Sequence, residues 1–564
     1  MRRHFRLFSA LLLAAALFAP ACAPKQAQQP ETVAWRMDPQ TAASYYYLVY
    51  MRELSKGNAQ DAALALDQAI GLDPDPQLMV EAADLAWRMG RTEQARSYIL
   101  QALREAPGNR LLIFRLADSF AAEGRHAEAA QVLATYLKER PEDATARLRL
   151  AQVLIDAGQP AESMDILQGI PEGERGSEAF YLMGRASARL NRTRVAEKMF
   201  KRSIEENPEN IAPRAELALL YERQRELVLA EKVYAEMLQM EPENDEVRLR
   251  LIRLNLQLNN VDRALALALE GPERQDFILE SARLFLAQGF GGEAAHLAEP
   301  LTTRKDPAPE VLLFQALLDF QWRDDPAAAL RSLERIPDDV DFAGRVLHYK
   351  AHALFLLGDL DKALELTALG QEQYPDITEF WLVESWVHED RGDIGKALVV
   401  MKEAVSRWPE NTQLLYRLGA LQHMAGKLED SRANMERVIE LDPDNVEALN
   451  FVGYLLAEQN RELERAEVLV RRALDRSPGA PHILDSMAWV LYRQGRLQEA
   501  WDYIRRAADS AESPVDPTIW EHYGDIASAL GKTDEARRGY SKALEAGSRN
   551  AQEVRGKLQD LDRS

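Results

Sequence analysis

Apolar residues recur along this chain with the spacing of amphipathic helices, and the helical stretches are interrupted at a nearly constant interval. Prolines close these stretches at steps of 33 to 35 residues or multiples of that length, and glycines recur in the middle of the units. Because glycine permits a tight turn and proline ends a helix, each unit is predicted to be two helices joined by a short turn. The prolines are Pro74, Pro107, Pro141, Pro208, Pro242, Pro375, Pro409, Pro443 and Pro478, and the glycines are Gly57, Gly90, Gly124, Gly158, Gly358, Gly392 and Gly426.

The residues inside the units resemble the tetratricopeptide repeat (TPR), a two-helix unit of about 34 residues. That repeat has a large residue at its fourth place, Leu at the seventh, a small residue at the eighth and an aromatic residue later in the second helix. The last unit places Trp520, Tyr523, Gly524 and Tyr540 accordingly. The resemblance implies an all-α fold, a TPR α-solenoid in which helix-turn-helix repeats form a right-handed superhelix.

Counting in this register gives about fifteen units over roughly 500 residues. Between 245 and 343 several prolines break the register and are predicted to shorten second helices, so an irregular join between two superhelical segments is expected there. The units start near Ala43, Pro76, Arg110, Ala144, Ser177, Ile211, Asp245, Gln275, Glu310, Gly344, Thr378, Thr412, Val446, Pro481 and Pro517.

Six regions follow from the pattern. They are a lipoprotein signal peptide at 1–21, a flexible tether at 22–42, an N-terminal TPR array at 43–244, degenerate TPR-like helices at 245–343, a C-terminal TPR array at 344–550 and a polar helical tail at 551–564.

The first residues have the three-part build of a secretory signal. Arg2, Arg3 and Arg6 precede an apolar stretch at Leu7–Phe18, and small residues follow. Twelve residues are too few to span about 30 Å of hydrocarbon as a permanent helix. We therefore expect this segment to direct export and to be removed.

The single cysteine stands where the leader should be cut. The segment 17–22, which ends in Cys22, resembles the lipobox of bacterial lipoproteins. The resemblance implies acylation of Cys22, including palmitate, and a lipid anchor in the outer membrane with the chain facing the periplasm. The alternative is cleavage by ordinary signal peptidase, which would release a soluble protein with one thiol. One cysteine excludes an internal disulfide in either case.

The net charge and the sequence motifs limit the classes of function that the chain can have. The formal net charge is -21, so the chain has an acidic excess where nucleic-acid binding needs a basic face. His348 and His352 lie one helical turn apart, but Tyr349 occupies the place where the zinc-protease motif requires glutamate, and no third ligand is evident. We expect the protein not to be an enzyme and to bind no metal ion or cofactor.

The concave groove is the remaining candidate site. In TPR arrays, places 2, 5, 9, 12 and 13 of the first helix line a groove that binds extended peptides or partner helices. Aromatic residues and arginines, which are enriched at interface hot spots, recur at two of these places. Packing against neighbouring helices is the alternative role of the aromatic residues. Place 5 holds Tyr47, Phe114, Tyr181, Phe314, His348 and Tyr416, and place 9 holds Arg185, Arg253, Arg283, His352, Trp386, Tyr454 and Trp489. All of these except Phe314 are the predicted binding residues.

The leading functional prediction is a non-enzymatic scaffold for protein partners, anchored at the outer membrane and active in envelope assembly or export. The TPR lipoproteins that this chain resembles serve pilus assembly, outer-membrane protein insertion or exopolysaccharide secretion. A polysaccharide-binding module is the alternative, with Arg185, Arg253 and Arg283 facing an anionic polymer and Trp386 and Trp489 stacking on sugars. The third and least supported hypothesis is a hydrolase that lacks a recognisable catalytic motif.

Overall fold

The computed structural model describes residues 38–510, 516–548 and 550–563. Within these ranges the secondary structure consists of α-helices and one short 3-10 helix at Glu172–Glu174, with no strand. The all-α class predicted from the sequence is therefore confirmed. The predicted signal peptide, Cys22 and most of the predicted tether lie outside the described residues.

The chain divides into two compact units between Val247 and Arg248. The first unit contains helices α1 Pro39–Ser55, α2 Ala59–Leu72, α3 Pro76–Arg88, α4 Thr92–Glu105, α5 Arg110–Ala122, α6 His126–Glu139, α7 Ala144–Asp156, α8 Pro160–Gln168, α9 Ser177–Arg189, α10 Thr193–Glu206, α11 Ala212–Arg223 and α12 Leu227–Met240.

The division falls inside α13, and the second unit continues to the C-terminal helix. Its helices are α13 Asp245–Gln257, α14 Val261–Leu269, α15 Gln275–Ala287, α16 Gly291–Thr302, α17 Pro309–Gln321, α18 Pro326–Glu334, α19 Ala343–Leu356, α20 Leu360–Gln373, α21 Glu379–Asp390, α22 Ile394–Arg407, α23 Thr412–Met424, α24 Leu428–Leu441, α25 Val446–Glu458, α26 Leu463–Arg476, α27 Pro481–Arg493, α28 Leu497–Ser510, α29 Pro517–Ala529, α30 Thr533–Glu545 and α31 Ala551–Arg563.

Odd-numbered helices up to α29 are the first helices of repeats, and even-numbered helices are the second helices. Fourteen of the fifteen predicted unit starts fall within one residue of the start of a first helix. The exception is α1, which begins at Pro39 rather than near Ala43. The side chain of Asp38 caps this helix by accepting a hydrogen bond from the Thr41 amide at 3.0 Å, and Pro39 suits the first helical position. The predicted tether therefore ends before residue 39.

Each described repeat has a residue in the left-handed region in the turn between its two helices. Glycine occupies this place in ten of the described repeats, and asparagine, arginine or aspartate occupies it in five. A glycine pattern alone identifies only part of the array, because residues other than glycine also adopt this conformation, asparagine and aspartate most readily. The non-glycine residues at this place are Asn191, Arg225, Asn259, Asp324 and Asn460, and Glu462 is a second residue with positive φ in the turn that contains Asn460.

Small residues let the two helices of a repeat approach closely. A Cβ atom added to Gly524 would stand 2.4 Å from the ring of Tyr540, and one added to Gly184 would stand 2.5 Å from the ring of Phe200. Both glycines are at the eighth place and both rings lie on the second helix of the same repeat. The sequence signature therefore marks the contact that sets the interhelical distance.

The segment between 245 and 343 contains shortened second helices, as predicted from its prolines. α14 and α18 have nine residues each, whereas most second helices have fourteen. Outside this segment α8 is equally short, and the chain after it forms the 3-10 turn. The prolines between 245 and 343 therefore predicted two of the three short second helices, α14 and α18, but not α8.

The outer faces of α1 and α31 differ in character. α31 is mostly polar but buries Val554, which is 1% exposed, against the last repeats of the second unit. The outer face of α1 in the first unit instead exposes Tyr45 by 53% and Leu48 by 68%. In the internal repeat that begins at Thr412, the residue equivalent to Tyr45 is Leu414, and it is fully buried.

Candidate functional site

A cleft of about 620 Å³ lies in the second unit along four successive first helices, α19, α21, α23 and α25. Most of its lining residues occupy places 2, 5 and 9 of their repeats, which are the groove places that the resemblance implied. Of the twelve residues predicted to line the groove, the cleft brings together four, His348, His352, Trp386 and Tyr416. The remaining lining residues are Tyr349, Glu379, Leu382, Thr412, Gln413, Arg417, Ala420, Asn445 and Glu447.

Aromatic rings form a continuous wall at the α19 end of the cleft. The rings of His348 and His352 are stacked with centroids 6.1 Å apart, and the ring of His352 lies 5.4 Å from that of Trp386. Phe320 and Phe355 pack on the other sides of His352, at 5.6 and 6.5 Å. The rings hold one another in place, so the wall exists before any ligand binds.

Burial keeps both imidazoles of this wall neutral near pH 7. Burial, reinforced by the neighbouring His352, lowers the pKa of His348 to about 4. Burial also lowers the pKa of His352. The Nδ1 atom of His348 is buried and has no hydrogen-bond partner among the described residues. The wall therefore presents an apolar surface with one unused polar atom.

Carboxylates provide the charge of the cleft. Glu379 and Glu447 line it, and both are exposed. The one cation of the lining, Arg417, is already engaged, since its guanidinium lies 2.5 Å from Glu389 and donates to the Ser385 hydroxyl at 2.9 Å. The cleft is therefore apolar at its walls and negatively charged among its exposed groups.

Trp489 and Tyr454 lie outside this cleft, beside a buried ion pair. His522 Nδ1 lies 2.8 Å from Asp485 Oδ1, and the indole ring of Trp489 stacks on the His522 ring at 4.0 Å. Tyr454 lies 6.1 Å from the same ring. Burial opposes charging of His522, but the adjacent Asp485 carboxylate and the carboxylates of Asp525 and Glu521 together outweigh burial and raise the pKa of His522.

The predicted groove residues of the first unit make intramolecular contacts. The Tyr47 hydroxyl donates to Glu81 at 3.1 Å, and the Phe114 ring is buried beneath Arg149 at 4.6 Å. Arg185 donates to Gln152 and pairs with Asp156 at 3.2 Å, and its guanidinium lies over the ring of Tyr181 at 5.8 Å.

The other two predicted arginines belong to the second unit. Arg253 is exposed on α13, and Arg283 is exposed on α15 beside Glu280 at 3.8 Å. Because Arg185 lies in the first unit, neither compact unit contains all three arginines. The binding roles predicted for the twelve residues remain predictions.

Two further features bear on the class of site. No group of three or more His, Cys, Asp or Glu side chains among the described residues is placed to hold a metal ion. Over the same residues, no helix has both the length and the apolar character required to cross a membrane.

Sequence reasoning missed the carboxylates of the cleft and the partner of Trp489. Glu379 and Glu447 occupy place 2 of their repeats, which is one of the groove places, so the register does contain a signal for them. Asp485 and His522 lie 37 residues apart and occupy different places, 5 and 6, of consecutive repeats. No periodic signal indicates that pair.

Stacked two-helix units whose first helices line a cleft define a helical-repeat protein. A family model described as tetratricopeptide repeat matches residues 51–110, 80–142, 181–242, 425–481 and 486–551, and a second model of the same description matches 120–186 and 223–277. The two models together cover more than half of the chain, and neither describes an enzyme. The chain belongs to the tetratricopeptide-repeat family.

Relatives in Pseudomonas aeruginosa share parts of the chain. A TPR repeat-containing protein is 31% identical over 184 residues, which are 32% of this chain and 31% of the relative. The type IV pilus assembly protein PilF is 24% identical over 144 residues, which are 26% of this chain and 56% of PilF. The chain thus spans about a third and just over half of these relatives' lengths.

Several solved structures align over most of the chain, and one of them illustrates the match. The Cut9–Hcn1 heterotetramer of APC/C covers 93% of this chain and 91% of the aligned chain, at 13% identity and a TM-score of 0.39.

Proposed function

We propose that this protein is a non-enzymatic scaffold that holds partner proteins in the cleft of its second unit. The single observation that carries the proposal is the convergence of groove places from four successive repeats on one apolar cleft. Trp and Tyr are enriched at the centres of protein interfaces, and Trp386 and Tyr416 both line this cleft. A wall that is already assembled loses little conformational entropy when a partner binds.

We further propose that the scaffold is a lipoprotein of the bacterial outer membrane and serves envelope assembly or export. The leader and the lipobox-like segment ending in Cys22 support the anchor. The partial similarity to a type IV pilus assembly protein supports pilus assembly as the process. Outer-membrane protein insertion and exopolysaccharide export are the alternatives that the resemblance leaves open.

Cross-linking in living cells tests the cleft. A photo-reactive phenylalanine analogue at Trp386 or Tyr416 should give the same partner adduct on irradiation, because both positions line one cleft. Val399 on the second helix α22 is 66% exposed and serves as the control position. Adducts of equal strength at Val399, or none at either cleft position, would refute the role of the cleft.

Fractionation tests the anchor. Replacing Cys22 with Ser should move the protein from the membrane fraction to the soluble periplasmic fraction, because acyl chains supply the proposed attachment. If the variant still sediments with outer membranes after a high-salt wash, the lipid anchor is not what holds the protein there.

A further inference from the structure

We propose that the cleft takes an extended segment of a partner protein in which an aliphatic or aromatic side chain stands next to a lysine or arginine. This inference rests on the proposed scaffold function and adds the chemistry of the partner. Three properties of the cleft carry it, namely its apolar wall, its uncompensated carboxylates and the unpartnered Nδ1 atom of His348.

The apolar wall fits a hydrophobic side chain. Leu382 and Ala420 line the cleft beside the rings of Trp386 and Tyr416. A volume of about 620 Å³ lies within the range of sites that enclose ligands, so several residues of an extended chain fit. An aliphatic or aromatic side chain inserted there would exchange water contacts for contacts with rings, which is the favourable term in most protein association.

The carboxylates require a cation from the partner. Among the described residues, no basic side chain lies within ion-pair distance of Glu379, whose carboxylate accepts only from the Thr378 hydroxyl at 3.3 Å. Glu447 lies 3.5 Å from His482, a ring that is charged only when protonated. Since the cleft imidazoles are neutral and Arg417 is bound by Glu389, a lysine or arginine would find unneutralised carboxylates.

An unused polar atom of the cleft wall fits a polypeptide main chain. His348 Nδ1 is buried and has no hydrogen-bond partner among the described residues. His348 lines the cleft and occupies place 5 of its repeat, on helix α19. A buried polar atom gains free energy when a ligand supplies its missing hydrogen bond, and an extended chain carries a donor and an acceptor on each residue.

A polyanion is the wrong occupant for the same reasons. An acidic peptide or an acidic polysaccharide would bring its charge towards Glu379 and Glu447, and no free cation in the cleft lining would compensate it. An uncharged or cationic glycan could stack on Trp386, so it forms the competing outcome of the experiment below.

The experiment measures binding of synthetic peptides to the full chain by fluorescence anisotropy. The probes are labelled nine-residue peptides of one length. The first has a central phenylalanine flanked by lysines, the second has the same centre flanked by glutamates, and the third has lysines around a central serine. A chitosan oligomer is titrated as a competitor. Circular dichroism checks that every variant remains folded.

The lysine–phenylalanine peptide should bind at least about tenfold more tightly than either of the other peptides, because each of those lacks one of the two interactions. Trp386→Ala should weaken its binding about tenfold or more. Changing Glu379 and Glu447 together to Gln should weaken it and reduce its salt dependence. Glu464→Gln, on the exposed side of the second helix α26, is the matched control and should have no effect.

The outcomes separate the two proposals. Equal binding of the lysine and glutamate peptides with a preserved loss in Trp386→Ala would overturn the charge preference and leave the scaffold cleft standing. Indifference to Trp386→Ala would overturn both. Failure of all peptides to bind, or stronger binding of the chitosan oligomer than of the lysine–phenylalanine peptide, would also overturn the inference.

Discussion

His348 and His522 are both buried histidines of the second unit, but their surroundings shift their pKa values in opposite directions. Burial lowers the pKa of His348 to about 4, so the folded state loses stability as pH falls from about 6.5 towards 4, while the unfolded chain takes up the proton. Burial opposes charging of His522, but the carboxylate of Asp485, together with those of Asp525 and Glu521, raises the pKa of His522 above its usual value. Stability from that pair is fully present below about pH 6.5 and is lost as pH rises through the folded pKa.

The direction of the His522 pKa shift leads to a prediction for the Asp485→Asn variant. The variant should cost about 3 kcal/mol of unfolding free energy near pH 6, where His522 would become a buried charge without its partner, and clearly less at an alkaline pH above the raised pKa, where the ring is neutral. Denaturant unfolding at the two pH values measures the difference. Asp534→Asn, at a fully exposed carboxylate, is the control. An equal cost at both pH values would show that His522 is not charged in the folded protein.

Three tryptophans differ in what surrounds them, and their alanine variants should differ accordingly. Trp520 is 6% exposed in the core, so Trp520→Ala should cost about 3 to 5 kcal/mol. Trp489 covers the buried His522 ring at 4.0 Å, so its replacement should approach that cost. Trp386 is half-buried at the cleft, and its replacement should cost about 1 kcal/mol. Denaturant melts rank the variants, and a Trp386→Ala cost equal to that of Trp520→Ala would identify Trp386 as core.

At the scale of the element, the turn within each repeat is the most uniform feature of the array. Arg225 adopts this turn with a φ of 59°, a conformation that strains a long side chain. Arg225→Gly should therefore stabilise the first unit by up to about 1 kcal/mol. Gln224→Gly in the same turn, at a right-handed φ of -84°, should not stabilise it. Thermal melts compare the two variants, and an equal gain in both would contradict the strain at Arg225.

Two glycines of the C-terminal region should respond oppositely to the same change. Gly524→Ala would place a methyl group 2.4 Å from Tyr540 and should cost about 1 to 3 kcal/mol. Gly556 lies in α31 with nothing within 4 Å of an added Cβ, so Gly556→Ala should stabilise the helix by up to about 1 kcal/mol. Unfolding curves measure the stability of both variants. An unchanged stability in Gly524→Ala would mean that α29 and α30 can move apart at little cost in free energy.

The sequence predicted helix starts well because proline, glycine and small residues act locally at fixed places. It predicted the turn glycines but gave no indication that Arg225 would take the same conformation, since the array around that turn imposes the backbone. It assigned individual groove residues from the register but could not show which four meet in one cleft. That convergence depends on how successive first helices pack, and the Asp485–His522 pair depends on a contact across repeats.

At the scale of the whole molecule, contacts run mainly between neighbouring helices within each compact unit. Damage to one repeat should therefore remain local. In the Gly524→Ala variant, hydrogen exchange should accelerate in α27 to α31, while the amides of α1 to α12 keep their protection. A uniform loss of protection along the chain would show that the repeats unfold as one cooperative block.

The outer faces of α1 and α31 have a consequence for protein engineering. A designed repeat placed before α1 would meet Tyr45 and Leu48 already exposed, and could bury Tyr45 in the way that its equivalent, Leu414, is buried in the repeat that begins at Thr412. Beyond α31 an added repeat would meet a mostly polar surface, so that helix would first have to be removed. Repeats can therefore be added more readily before α1 than after α31. A longer binding surface is best built from the α1 face of the first unit.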